Sequence, residues 1–123
     1  MDIVNEYHKA HRKDEILSLP SGRYVSRRPV PRMKCKDGFE ISVQASEYSY
    51  CSPRETDDIA YYEFECGFPS EPVPTLAKWK DGDDETPDMK TVFGYVPVDV
   101  IVALIESHGG LADQPTVAPQ EQK

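Results

Sequence analysis

Between Phe39 and Ala45 the chain alternates without a break. Phe39, Ile41, Val43 and Ala45 are apolar, and Glu40, Ser42 and Gln44 between them are polar. A period of two is that of a strand with one face in a core and one in water. A second run, Ala60–Cys66, sets Ala60, Tyr62, Phe64 and Cys66 against Tyr61, Glu63 and Glu65. The third, Thr91–Val96, is rich in β-branched and aromatic residues. It leads directly into Val98–His108, where Val100, Ile101, Leu104 and Ile105 share one helical face. Pro97 suits the first turn of that helix, where its missing N–H costs nothing. Gly109 suits the left-handed residue that closes it, with Gly110 behind. The pattern predicts an α+β fold: a small three-stranded, mainly antiparallel sheet (39–45, 60–66, 91–96) with the C-terminal helix packed on its apolar face.

The rest of the chain is less periodic. Ile3, Tyr7, Ala10 and Leu17 fall roughly on one face, and Asp2 can cap them, which predicts an appended N-terminal helix over 2–18. Pro20-Ser21-Gly22 ends it. Pro29 and Pro31 keep residues 23–36 extended, as a linker or arm. Three prolines exclude Gly67–Thr75 from a central strand, and Leu76–Lys80 suits a helical turn carrying Trp79. The expected organisation is therefore 1–32 as helix and basic arm, 33–110 as the core domain, and 111–123 as a disordered tail. On this reading residues 1–32 are dispensable for folding.

Composition adds limits. The 123 residues make one small domain, and no run approaches the roughly 18–20 apolar residues of a membrane span. The charged N-terminus does not read as a secretory signal. Cys35, Cys51 and Cys66 are odd in number and lack CxxC spacing, which reads as buried thiols in a reduced, intracellular protein. The net charge of −8 is unevenly spread. Residues 1–36 hold nine Lys/Arg against four Asp/Glu, a net of +5; residues 37–123 hold five against eighteen, a net of −13.

No nucleophile elbow, phosphate loop or zinc pattern is present. The acidic loop Asp81–Asp88 fails the calcium-loop pattern, having Thr86 where glycine belongs and Val92 where glutamate belongs. His8 and His11 read as surface residues and His108 as a helix C-terminal residue; a Cys66–His108 pair needs proximity that sequence does not supply. The chain reads as a non-enzyme without cofactor or metal. Core packing explains the loop Glu47–Arg54 least, because Tyr48, Tyr50 and Arg54 are residue types that anchor interfaces. Glu63 and Glu65 on the wet strand face, with Asp83, Asp84 and Glu85 in the acidic loop, complete a candidate partner-binding set. The basic alternative is Arg23, Arg27, Arg28 and Arg32, a phosphate-seeking arm.

The segments KDGFEISVQASEYSYCSPR, YYEFECGFPSEPVP and TVFGYVPVDVIVALIESHGG resemble a group of small phage and prophage proteins without an assigned function. The likeness runs from about Met33 to Gly110, and this chain departs from the group by its extra N-terminal third. The resemblance implies a mobile-element origin, a host bacterial cytoplasm and an accessory role. Together with the acidic body, it leads to the expectation of a protein that inhibits a host nucleic-acid-binding defence protein, of the anti-CRISPR or anti-restriction kind, through an acidic surface. Two other readings stand beside it: a nucleic-acid-associated protein using the basic arm, and a structural or assembly module that forms a homodimer. Neither direct nucleic-acid binding nor a membrane partner is expected.

Overall fold

The computed structural model describes residues 2–11, 13–20, 22–28, 30–46, 49–53 and 60–112. Helix α1 (Ile3–His11) is followed by a hairpin of β1 (Lys13–Leu19) and β2 (Gly22–Arg28). The main sheet takes β3 (Met33–Lys34), β4 (Glu40–Gln44), β5 (Glu63–Gly67) and β6 (Val92–Pro97), antiparallel and in that spatial order. Helix α2 (Val98–Ser107) closes the fold. It is an α+β architecture with four strands in the main sheet rather than three. The added strand, β3, is only two residues long and too short for its periodicity to show. No helix among the described residues is long and apolar enough to cross a membrane.

The core forms as the alternation in β4 and the periodicity of α2 require. Ile41 and Val43 of β4, Phe64 and Cys66 of β5, and Phe93 and Val96 of β6 meet Ile101, Leu104 and Ile105 of α2. Burying side chains of this size contributes roughly 1.5–3 kcal/mol each. Pro97 lies one residue earlier than expected, as the last residue of β6 and the N-cap of α2. The other end closes as expected. Gly109 (φ +90°) and Gly110 (φ +86°) turn left-handed, the Gly110 N–H donates to Ile105 C=O (2.9 Å), and the Gly109 N–H donates to Glu106 C=O (3.0 Å). That is the Schellman closure, which satisfies carbonyls the helix leaves orphaned.

The N-terminal third departs from expectation in two ways. The helix expected over 2–18 stops at His11, and 13–19 instead pairs with 22–28 from Lys13↔Arg28 to Leu19↔Gly22. Leu19 and Gly22 thus close a hairpin with Pro20 in its turn, which the loose spacing of apolar residues beyond Ala10 did not distinguish from a helix end. Nor is α1 appended. Val4 and Tyr7 lie in the same core as α2. Asp2 does cap the helix, accepting the Asn5 N–H (2.7 Å). Asn5 then pairs like a strand residue with Tyr61, donating to its C=O (2.7 Å) and accepting its N–H (2.8 Å). His8, expected at the surface, is buried (4 % exposed), with Nε2 2.6 Å from Val43 C=O and its ring on Phe64. The short β3 ends before Val43, so the imidazole reaches a strand carbonyl that β3 does not cover.

The alternation expected from Ala60 also breaks. Tyr61 is buried and Tyr62 is 61 % exposed, the reverse of the pattern, and Ala60 is exposed. Both the Tyr62 and Glu63 N–H groups donate to Ser52 C=O (2.9 and 3.3 Å). Two residues facing one is a bulge, and a bulge resets which face each following residue occupies.

Candidate interaction surface

A second irregularity lies in β6. Phe64 pairs with Val96 and Cys66 with Phe93, so Gly94 and Tyr95 together face the single residue Glu65. Tyr95 takes a left-handed φ of +57°, a conformation that costs a non-glycine residue of order 1–3 kcal/mol. Its N–H turns to Tyr50 C=O (2.9 Å), and the two phenol rings lie 5.9 Å apart at 35°. Gly94 permits the approach: a Cβ there would stand 3.0 Å from Tyr50 Cβ. Both tyrosines remain 41 % exposed.

Along the outer edge of β6, a 3-10 turn at Pro74–Trp79 places Trp79, and Lys80 and Asp81 run alongside the strand, with the Asp81 N–H donating to Val92 C=O (2.9 Å). Tyr50, Trp79, Lys80, Asp81, Gly94 and Tyr95 line an open pocket of about 280 Å³. Lys80 brings no free charge to it. Its ammonium meets Asp88 Oδ1 (3.1 Å) and the Thr86 carbonyl. The Val73 N–H (2.8 Å), and secondarily Lys80, hold the Asp88 carboxyl below its ordinary range. Asp83 folds the acidic loop by accepting Thr86 Oγ1 and N–H (both 3.0 Å) and the Glu85 N–H (3.1 Å), bonds that hold its carboxyl low. Asp83, Asp84 and Glu85 are all exposed.

The other sequence candidates are placed as follows. Glu63 and Glu65 do lie opposite Phe64 and Cys66, but half-buried. Glu63 accepts the Ser52 hydroxyl (2.7 Å), and Glu65 Oε2 is 3.5 Å from the Tyr50 N–H, so both carboxylates brace the Tyr50 segment. Tyr48 and Arg54 lie outside the described residues, as does the expected tail from residue 113 on. Arg23, Arg27 and Arg28 fall in β2, opposite Ser18, Asp14 and Lys13. Arg32 is bound at home, Nε to Glu40 (3.2 Å) and Nη2 to Phe68 C=O (2.8 Å). The Cys66 thiol is pushed up by burial. His108 lies at Asp37 Oδ2 (2.6 Å) and stacks on Phe39 with ring centroids 4.1 Å apart.

Gly94, Tyr95, Trp79 and Asp81 were not singled out as site residues from sequence. The one signal was Gly94 itself, since an isolated glycine within a strand marks a bulge or a close backbone approach. Along α2, Thr75, Asp99, Val100, Ala103, Leu104 and Ser107 line a separate, mainly apolar groove of about 340 Å³. Comparison with protein-family models, with curated proteins and with solved structures finds no match to this chain.

Proposed function

We propose that the protein is a non-enzymatic binding module that meets a basic partner through the acidic loop and the Tyr50–Tyr95 surface beside it. In the setting the sequence resemblance suggests, that partner is a nucleic-acid-binding defence protein of a bacterial host, inhibited by occupation of its basic surface. One observation carries the reading: the 81–88 loop is internally organised, the preceding Lys80 is paired with its Asp88, and Asp83, Asp84 and Glu85 are left presented to solvent beside exposed aromatic rings. Carboxylates arrayed in this way steer a cationic partner, and the rings supply desolvated contact area.

The test is expression in bacteria carrying a restriction or CRISPR system, with phage plating as readout. The wild-type protein raises plating on defended cells. The double variant Asp84→Asn, Glu85→Gln, which keeps the loop-folding Asp83, loses the effect while melting close to wild type, since exposed substitutions away from such bonds alter stability by about 0.5 kcal/mol. Equal protection by both proteins would refute the acidic reading. A homodimer is the second reading, favoured by the groove along α2, and a sedimentation mass of one chain removes it.

A further inference from the structure

We infer that the pocket between Tyr50, Trp79 and Tyr95 holds the guanidinium of an arginine side chain presented by a partner protein. The inference rests on the basic-partner reading above and identifies the group that would seat in it. The lining brings three aromatic residues together with Gly94, whose missing Cβ lets the Tyr50 side chain pack against β6. Aromatic faces attract cations through their quadrupole, most strongly in the indole. The chain's own Lys78 already illustrates this, its ammonium lying 5.3 Å from the Trp79 ring centroid. Of the two charged lining residues, only Asp81 is open to a further cation. Lys80 is neutralised by Asp88, while the exposed Asp81 forms part of the wall.

Size and shape select the ligand. The pocket is a shallow, open depression of about 280 Å³, with room for one partner side chain. The tyrosine rings, in tilted contact with centroids 5.9 Å apart, present one continuous aromatic surface instead of a box round a sphere. A planar, weakly hydrated guanidinium stacks on such faces and forks onto a carboxylate, whereas a compact ammonium holds its water more strongly. The backbone holds the two rings together. Tyr95 occupies a left-handed conformation that a regular strand would not require, and its N–H is fixed to Tyr50 C=O.

Trp79 is the only tryptophan in the chain, so its fluorescence reports occupancy directly. The full-length protein is titrated at low salt with Nα-acetyl-arginine amide, with the neutral citrulline analogue and with Nα-acetyl-lysine amide. The arginine compound gives a saturable change, and the citrulline analogue binds about tenfold more weakly, the loss expected for removing a cation from an aromatic site. Asp81→Asn and Tyr50→Phe/Tyr95→Leu each weaken the arginine response. Asp81→Asn alters an exposed residue, which keeps the test valid if the tyrosine variant folds poorly. No saturable change, equal responses to arginine and citrulline, equal responses to arginine and lysine, or indifference to Asp81→Asn each overturn the inference. If the arginine response is absent while the acidic-loop variant still loses phage protection, the pocket assignment fails and the basic-partner reading survives. If the response is present but the loop variant protects fully, the pocket stands and that reading falls.

Discussion

The two helices enter one core by different means. Helix α2 brings Ile101, Leu104 and Ile105, and little of its docking depends on polar side chains. Helix α1 brings Val4 and Tyr7, but also Asn5 and His8, both buried and both bound to strand backbone. Tyr7 Oη adds bonds to the Pro31 and Arg32 carbonyls, each 3.1 Å. One helix is held mainly by apolar area and the other in large part by directional bonds. Each mode fails differently when perturbed, because area is lost in proportion to atoms removed while an orphaned buried polar group carries its whole desolvation cost.

Beginning the chain at Met33 should have the largest effect. It removes Val4, Tyr7 and Val30 from the core and strips Tyr61 and Val43 of their polar partners. Those losses approach the roughly 5–15 kcal/mol that a domain of this size has in total. The shortened protein should show no cooperative transition in urea or on heating. A sharp transition would restore α1 to the status of an appendage.

Ile105→Ala comes next, at about 2–5 kcal/mol by urea denaturation, the range for truncating a fully buried aliphatic residue. Asn5→Leu sharpens the contrast, since it adds apolar volume while removing both bonds to Tyr61. If directional bonding holds α1, the variant loses about 1–3 kcal/mol for the unsatisfied backbone groups. If apolar burial alone held the helix, it would be neutral or better.

The smallest effect is acid dependence at the end of α2. The Asp37 carboxyl is held below its ordinary range, first by the Phe39 N–H (3.0 Å) and then by His108. A carboxyl with a lower pKa folded than unfolded adds stability above the ordinary carboxylate value of about 3.9. That contribution is lost as pH falls through the folded pKa. Melting temperature should therefore drop on acidification below about pH 4, and less steeply in Asp37→Asn. Asp83 and Asp88 are depressed in the same direction, so the variant reduces the slope without abolishing it.

The sequence alone determined β4, β6, α2 and the glycine closure behind it. Each follows from a local rule: a two-residue period, a helical apolar face, or a left-handed position that favours glycine. It also determined that an acidic body follows a basic N-terminal third, because charge is counted and needs no fold. Tertiary structure decided the rest. Asn5 and His8 carry the signature of surface residues until strand carbonyls and N–H groups are brought to them from more than thirty residues away. The bulges at Tyr62–Glu63 and Gly94–Tyr95 are properties of two strands and not of one, so a single-strand alternation cannot contain them. The pocket is the clearest case. Tyr50, Trp79, Asp81 and Tyr95 come from three separate segments, and no spacing along the chain announces a site that exists only where an extra residue in one strand meets a loop crossing from another.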